Sequence, residues 1–178
     1  MELAVIPLNA ARLAKDLCAS AITPLEWGLG SRLRYAYYRP QLRGCAGYFA
    51  SHGGFCIAGA EYASIGKDCS FARGAYIAAR NRIDIGNGVL VGPYSLLSDS
   101  VHRYEDPGVS ISEQGCSKGS IRIGDDVWIG AHVVILDGAI IGNGSVVGAL
   151  SLVKGRIPPN EVWGGVPARF IKKREKSD

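Results

Sequence analysis

A six-residue period dominates the second half of this chain. Cut from Ile123, the sequence reads IGDDVW, IGAHVV, ILDGAI, IGNGSV, VGALSL and VKGRIP, and the same frame recurs from Ile65 and from Ile85. A large apolar residue leads all twelve hexads, the second position is usually Gly, and the fifth is usually small or β-branched. This period fits neither an α-helix nor one long strand, whose side chains repeat every 3.6 and 2 residues.

Hexads of this kind predict short strands joined by turns, with the leading side chain inside and the small fifth residue where the interior narrows. Three hexads would close one triangular coil of about 18 residues, and coils would stack through parallel ladders at roughly 4.8 Å. The pattern therefore predicts an all-β fold, a parallel β-helix of hexapeptide repeats. Its turns also account for the high glycine content, 24 of 178 residues.

The two ends of the chain depart from the hexad pattern. Residues Asn9–Ile22 carry apolar side chains at helical spacing and predict a short amphipathic helix. A solenoid must cap its ends, so we expect a helical cap over residues 1–55 and a solenoid domain with a C-terminal tail over residues 56–178. The segment 31–48 is rich in Arg and Tyr. It is consistent with a cap bearing solvated arginines, and also with a surface for an anionic acceptor or a membrane.

The hexad frame breaks at two places. Ile83 and Asp84 are two extra residues between coils, and residues 103–122 interrupt the frame directly after His102. An irregular insert of this length in a compact repeat is usually functional or disordered. We expect it to form a protruding loop.

Composition narrows the function classes. The chain is 47% hydrophobic and 20% charged, which is typical of a folded globular protein. A net charge of +4 is too small to indicate nucleic acid by itself. No apolar run approaches the roughly 18 residues of a membrane span, and the first 22 residues do not read as a secretory signal. Five scattered cysteines without a CxxC motif indicate reduced thiols and a cytoplasmic location.

Several motifs in fixed order resemble those of the hexapeptide-repeat acyltransferases. They are SDSVHRYEDP around His102, EQG from Glu113, the hexads from Ile123, IPPN from Ile157 and GGVPARFIKK from Gly164. The likeness is greatest to the maltose, galactoside and nodulation-factor O-acetyltransferases and to the capsule or lipopolysaccharide O-acetyltransferases, and it covers roughly residues 55–172.

This resemblance implies a left-handed β-helix and a homotrimer, with acetyl-CoA bound between neighbouring subunits and no metal. It implies direct transfer, in which a histidine deprotonates a hydroxyl that then attacks the thioester. Such a base needs a near-neutral pKa and hydrogen-bond reach to the hydroxyl, which histidine supplies. Of the three histidines, His102 carries the family motif and is the candidate base. His132 falls at an outward turn position, and His52 precedes the clear repeat.

A base histidine is usually oriented by a second group on its other ring nitrogen. Glu113 is the preferred candidate, because the resembling sugar acetyltransferases carry a carboxylate at about this place. Asp99, Glu105 and Asp106 are alternatives, as is a backbone carbonyl.

The resemblance also assigns the donor side of the site. Ala131 and Ala149 match backbone contacts to the pantetheine arm of acetyl-CoA. Lys154, Arg169 and Lys172 match or neighbour cationic contacts to its phosphates, although Arg169 and Lys172 are also consistent with a solvated basic tail. The motif departs from the sugar acetyltransferases where they carry GAGS and this chain has Leu150 in place of the second glycine, so these contacts are approximate.

On the acceptor side, Trp128 and Asp99 are candidates for substrate binding, and packing at a subunit interface is an equal alternative for Trp128. The leading hypothesis is an acetyl-CoA-dependent O-acetyltransferase acting on a sugar of a surface polysaccharide or its precursor, with possible peripheral membrane association and no nucleic-acid partner. Alternatives are an N-acyltransferase on an amino sugar, a drug-modifying acetyltransferase, a zinc hydratase on the same fold, and a non-catalytic solenoid scaffold.

Overall fold

Short strands lie on the three faces of a solenoid. The structure is a computed structural model that describes residues 10–26 and 28–175. Three sheets of six, seven and five strands make up the solenoid, and every pair within it is parallel except the last. We call them the first, second and third sheet in the order in which the chain visits them. Strands follow one another in coils, in chain order: β1 (Gly44–Cys45), β2 (Phe49–Ser51), β3 (Cys56–Ala58); β4 (Ala63–Ile65), β5 (Cys69–Phe71), β6 (Tyr76–Ala78); β7 (Ile83–Ile85), β8 (Leu90–Val91), β9 (Leu96–Ser98); β10 (Ile121–Ile123), β11 (Trp128–Ile129), β12 (Val134–Leu136); β13 (Ile140–Ile141), β14 (Val146–Val147), β15 (Leu152–Val153); β16 (Arg156–Ile157), β17 (Glu161–Gly164) and β18 (Arg169–Lys173).

The hexad pattern correctly predicts the core of this all-β parallel solenoid, which is consistent with a left-handed β-helix. All twelve leading residues are buried, and the small residues at the fifth position are buried beside them. Where the fifth residue is Ser, the hydroxyl donates to a backbone carbonyl, as Ser95 does to Gly130 at 2.8 Å and Ser145 to Pro158 at 2.7 Å. The interior is therefore apolar and its few hydroxyls are satisfied.

Coil length varies along the solenoid. Twenty residues separate the stacked partners Gly44, Ser64 and Asp84, whereas eighteen separate Arg122 from Ile140. Ile83 and Asp84 are therefore not an interruption but the start of β7, and likewise Ile121 starts β10. The irregular insert accordingly lies between Ser98 and Ile121, and it ends earlier than the predicted residue 122.

The first coil starts before the point at which hexads can be recognised. Strands β1 and β2 pair with β4 and β5 of the next coil, so parallel stacking begins at Gly44 and not after residue 55. Aromatic side chains fill the core at this end, where Phe49 and Phe55 of the first coil pack with Phe71 of β5, in the next coil, at centroid distances of 4.7–6.1 Å. The repeat is hidden because its size pattern is reversed in this coil: Phe49 stands opposite Cys69, a small fifth-position residue, and Ser51 stands opposite Phe71, a leading residue.

Two helices cap this end. The predicted helix over Asn9–Ile22 is confirmed as α1 (Ala10–Ile22), with Asn9 outside the described residues, and α2 (Leu29–Tyr38) follows it. Arg34 of α2 is fully buried, and it donates to the carbonyls of Ile22 and Ser51 at 2.9 and 2.6 Å. Arg34 thus joins α1 to the first coil through hydrogen bonds, an arrangement we call the Arg34 clasp. Two other arginines of the Arg/Tyr-rich segment, Arg32 and Arg39, are exposed.

The other end is closed by an antiparallel pair. Strand β17 continues the second sheet after β14, and β18 folds back against β17. The basic segment that begins at Arg169 therefore forms an exposed edge strand, because pairing with β17 satisfies backbone groups that a tail would leave to water.

Candidate active site

The predicted base, His102, lies where the insert leaves the solenoid. After β9 the chain runs out along residues 101–103 and returns along residues 115–117, and these two stretches form an isolated antiparallel bridge that pairs His102 with Cys116. The Arg103 N–H donates to the Gly115 carbonyl at 3.0 Å, and the Ser117 N–H donates to the Val101 carbonyl at 2.8 Å. Hydrogen bonds on both sides of His102 thus fix the base of the loop.

A cavity of about 270 Å³ opens beside this bridge. It lies at the corner between the third and the first sheet. His102 and Lys154, the predicted base and one of the predicted donor contacts, line it together with Asp137 and Glu105. The fold therefore brings together two of the predicted site residues that are distant in sequence.

The predicted orienting carboxylate, Glu113, is not bonded to the ring in this structure. Glu113 is exposed, and its N–H donates to the Ser110 carbonyl at 2.9 Å. Within residues 10–26 and 28–175, no hydrogen bond or ion pair joins Glu113 to His102. The polar neighbour of the ring is instead Cys116, whose Sγ lies 3.6 Å from Nδ1. No sequence motif predicts this contact, because it depends on the pairing of the loop ends.

Asp99 is also placed differently from the prediction. It is fully buried, and its carboxylate accepts the backbone N–H groups of Arg80, Asn81 and Arg82 at 2.8, 2.9 and 2.6 Å. A carboxylate enclosed by three backbone donors has no access to an acceptor molecule. Asp99 is therefore a structural residue of the turn before β7, and the assignment to substrate binding is corrected.

The predicted pantetheine contacts lie on another corner, between the second and the third sheet. There Ala131 and Ala149 stand in successive coils, and the Leu150 N–H donates to the Ala131 carbonyl at 2.9 Å. Gly130 is required for this close stacking, because a Cβ at that position would lie 2.6 Å from the Ala149 nitrogen. The stack exposes a ribbon of turn backbone along the corner.

Aromatic side chains flank this ribbon. The rings of Tyr94 and His132 stack with centroids 5.3 Å apart, and both residues adopt left-handed backbone, as does Leu150. Tyr94 is a neighbour of the site that sequence analysis missed, since it carries no motif of its own. His132 lies here, on a different corner from His102.

The remaining predicted residues lie on or beyond the second sheet. Trp128 is 56% exposed on β11 and lines a cavity of about 380 Å³ with Leu90, Val146 and Arg174. Arg174 pairs with Asp126 at 2.8 Å. Arg169 and Lys172, both in β18, are exposed.

Neither metal ligation nor a membrane span is indicated in the part of the chain that the structure describes. No three His, Cys, Asp or Glu side chains among these residues are grouped to hold a metal ion. No described helix is both long enough and apolar enough to cross a bilayer.

Comparison with known proteins identifies the family. The family model for bacterial transferase hexapeptide (six repeats) matches residues 120–155. A chloramphenicol acetyltransferase of Agrobacterium fabrum is 30% identical over 151 residues, which are 82% of this chain and 68% of that protein. The chain belongs to the hexapeptide-repeat transferases. Two further relatives are a probable acetyltransferase of Mycobacterium tuberculosis, 40% identical over 53% of this chain and 32% of its own length, and a putative lipopolysaccharide biosynthesis O-acetyl transferase of Escherichia coli, 38% identical over 55% of this chain and 54% of its own length.

Solved structures of hexapeptide-repeat transferases extend the likeness to nearly the whole fold. A hexapeptide-repeat acetyltransferase from Vibrio cholerae, complexed with acetyl coenzyme A, superposes with a TM-score of 0.75 at 27% identity, covering 94% of this chain and 91% of that one. A galactoside acetyltransferase in complex with coenzyme A gives 0.79 at 27% identity, covering 92% and 80%. The chain spans between about a third and three fifths of the length of the first curated relatives it matches.

Proposed function

We propose that this hexapeptide-repeat transferase moves the acetyl group of acetyl-CoA to a hydroxyl of a sugar in a surface polysaccharide or its precursor. The observation that carries the proposal is the cavity in which His102 and Lys154 meet, at the mouth of the insert. This cavity is lined both by a candidate general base and by a cation suited to the phosphates of CoA. The likeness to acetyltransferases that carry acetyl-CoA or CoA supports the choice of donor.

In this proposal His102 takes the proton of the attacking hydroxyl. The oxygen then attacks the thioester carbonyl, and the CoA thiolate leaves as the acetyl ester forms. A positioned general base contributes typically 10²–10⁴-fold to the rate. The role proposed for Glu113 is reduced to an acidic residue of the exposed loop, which would approach the ring only if the loop rearranged around an acceptor.

The site we propose needs more than one copy of the chain. Ala131 and Ala149 lie on one corner, His102 and Lys154 on the next, and the width of the third sheet separates the two corners. Ala131 and Asp137 lie on the two corners and are six residues apart, which at about 3.3 Å per residue corresponds to a separation of up to roughly 20 Å. We propose a homotrimer in which the Ala131 corner of one copy meets the His102 corner of its neighbour, so that acetyl-CoA lies between them.

The outward side chains of the sheets support such an assembly. The first sheet presents mainly polar residues, including Asp84, Arg122 and Arg156, to solvent. The other two sheets carry columns of apolar side chains, which suits two different contact faces in a closed threefold ring. These columns are Leu90, Trp128 and Val146 on the second sheet and Leu96, Val134 and Leu152 on the third. Sedimentation at three times the 18.9 kDa chain mass is the expected result.

The proposed donor contacts are exposed, as a phosphate site requires. Lys154, Arg169 and Lys172 all present charged groups to solvent. We expect Lys154→Ala to weaken acetyl-CoA binding several-fold at low salt and less at high salt, since exposed charges are screened. A cytoplasmic location belongs to this proposal, because all five cysteines are free thiols and thiols persist in reducing compartments.

Calorimetric titration with acetyl-CoA tests the donor, with saturable binding near one site per chain expected. Transfer is then measured by release of the CoA thiol with a galactoside, maltose and glucosamine as acceptor probes. His102→Ala should lower kcat at least about 100-fold while the trimer and acetyl-CoA binding persist. His52→Gln is the control, because His52 lies in the first coil between β2 and β3, away from the coils that carry the proposed contacts. No binding at millimolar acetyl-CoA, or equal kcat in His102→Ala and the wild type, would refute the proposal.

A drug hydroxyl is the second candidate acceptor. It is favoured by the likeness to the Agrobacterium fabrum chloramphenicol acetyltransferase, which covers 82% of this chain. Chloramphenicol therefore joins the acceptor probes, and a kcat/KM for it that exceeds those for the sugars by at least tenfold would select this alternative.

A further inference from the structure

The contact between His102 and Cys116 is built into the backbone of the loop. In an antiparallel pair, residues flanked by hydrogen bonds but not bonded to each other have the closer side chains, with Cα atoms about 4.5 Å apart. His102 and Cys116 form such a pair, since the bonds on either side run from Arg103 to Gly115 and from Ser117 to Val101. Their side chains thus project from the same face of the bridge, and Sγ lies 3.6 Å from Nδ1.

Two further bonds hold Ser117, next to Cys116, in place. The Val101 N–H donates to the Ser117 Oγ at 2.9 Å, and the Ser100 hydroxyl donates to the Ser117 carbonyl at 3.2 Å. Gly115, on the other side, has a φ of 74°, a conformation that other residues adopt only with strain. The sulfur is therefore positioned by backbone geometry on both sides.

A histidine can act as base at Nε2 only in one neutral tautomer. The ring proton must reside on Nδ1, which leaves the Nε2 lone pair free to take the proton of a hydroxyl. Nδ1–H then needs an acceptor, and within residues 10–26 and 28–175 the one hydrogen-bond partner of the ring is the Cys116 sulfur. Sulfur is a weak acceptor, but here it faces Nδ1 directly.

We propose that Cys116 is a positioning residue for His102: its Sγ accepts the Nδ1–H of the ring and holds the tautomer in which Nε2 acts as the base. This inference rests on the proposed function, in which His102 is that base. The thiol keeps its own proton and forms no bond with the acetyl group.

Charged groups near the ring do not replace the sulfur in this role. Glu105, Asp137 and Lys154 line the same cavity, but in the part of the chain that the structure describes none of them forms an ion pair or hydrogen bond with His102. The carboxylate expected from the resemblance, Glu113, lies on the exposed part of the loop. Cys116 is thus the residue of the described chain best placed to orient the imidazole.

The tautomer is the direct test. In protein labelled with ¹⁵N-histidine, the ring nitrogen shifts of three histidines are recorded at a pH where the rings are neutral, and His52→Gln and His132→Gln assign the His102 signals. We expect Nδ1 of His102 to carry the proton in the wild type and in Cys116→Ser, whose hydroxyl can also accept. In Cys116→Ala the proton should move towards Nε2. A wild-type ring protonated on Nε2 overturns the proposal, because the thiol is then the donor.

Kinetics provide the second readout. A typical net hydrogen bond corresponds to roughly five- to tenfold in rate, so kcat should fall by about that factor in Cys116→Ala, with KM for acetyl-CoA unchanged and recovery in Cys116→Ser. The control is Cys18→Ala, an exposed cysteine of α1. Unchanged kcat together with an unchanged tautomer in Cys116→Ala would overturn the proposal. Absence of acetyl transfer in the wild type would refute the proposed function instead, and the tautomer would still decide the role of Cys116.

Discussion

The buried carboxylate of Asp99 accepts the backbone N–H of Arg82 at 2.6 Å, across a complete coil of the solenoid. The same side chain also accepts the N–H groups of Arg80 and Asn81. Asp99 stands at the point where the insert begins, so one residue secures both the turn that precedes β7 and the start of the loop that carries His102.

Replacement of this carboxylate should be costly. Asp99→Ala leaves three backbone donors without their acceptor in a buried place, and we expect a loss of about 3 kcal/mol in the free energy of unfolding. Asp99→Asn keeps one oxygen and should lose about half as much. Urea unfolding followed by circular dichroism, at one fixed protein concentration, measures both. Asp126→Asn is the control, because it removes only the exposed ion pair with Arg174, which should contribute less than about 1 kcal/mol, and keeps a side chain suited to the left-handed backbone at this position. Equal stability of Asp99→Ala and Asp126→Asn would contradict this role.

Asp99 also shows where sequence analysis ends. The hexad period predicts which side chains are buried, because it repeats at every coil, and all twelve leading residues follow it. Asp99 is the third residue of its hexad, a position for which the period prescribes no burial, and it lies at the corner where the chain leaves the coil. A polar residue there is equally consistent with burial or exposure. Only the tertiary contact with residues 80–82 determines that Asp99 is buried.

The candidate site also contains some residues that the sequence predicts and others that only the structure reveals. The motif around His102 predicts a candidate base, and the structure places Lys154 on the wall of the same cavity. The pairing of His102 with Cys116 depends on how two loop ends align, for which no repeat exists. Likewise the first coil, with Phe49 and Phe55 in its core, has no recognisable hexads, and the charged strand β18 forms through pairing with β17 and not through its own propensity.

The clasp formed by Arg34 gives a prediction for the N-terminal cap. Arg34→Ala removes donors to the carbonyls of Ile22, Leu25 and Ser51 and should lower the free energy of unfolding by about 3 kcal/mol, since buried acceptors remain unpaired. Arg34→Lys should recover part of this loss. Faster amide exchange in α1 and α2 than in the later coils would place the effect in the cap.

Arg32→Ala is the matched control for this clasp, because Arg32 belongs to the same helix and is exposed. Its stability should remain within about 0.5 kcal/mol of the wild type. Uniform exchange rates across the whole solenoid in Arg34→Ala would show that the cap does not respond as a unit.

Stability should fall with acid through His52. Burial lowers the pKa of His52, and the nearby Arg34 and Arg73 lower it further, against an opposing effect of Glu26. The folded state therefore holds the ring neutral at a pH where the unfolded chain, with a pKa of about 6.5, already binds a proton. The contribution of the neutral His52 ring to the free energy of unfolding is fully present above about pH 6.5, the pKa of the unfolded chain. It is lost as the pH falls through the lower pKa of the folded state.

Thermal unfolding between pH 7.5 and 5 measures this effect. We expect the midpoint temperature to drop with acid, and to drop less steeply in His52→Gln, which has no proton to bind at this position. The same slope in His52→Gln and in the wild type would show that other groups carry the acid dependence.

Leu150 offers a substitution that should stabilise the fold. Its φ is 59° and its side chain is 69% exposed, so the leucine gains little from burial while left-handed backbone costs roughly 1–2 kcal/mol for a residue with a Cβ. Leu150→Gly removes that cost but adds flexibility to the unfolded chain, for a net gain of about 0.5 kcal/mol. Leu90→Gly is the matched control, since Leu90 is 50% exposed in the extended strand β8 and glycine there should destabilise. Urea unfolding of the two variants should therefore shift in opposite directions, and a loss of stability in both would mean that the Leu150 side chain makes contacts that outweigh its backbone strain.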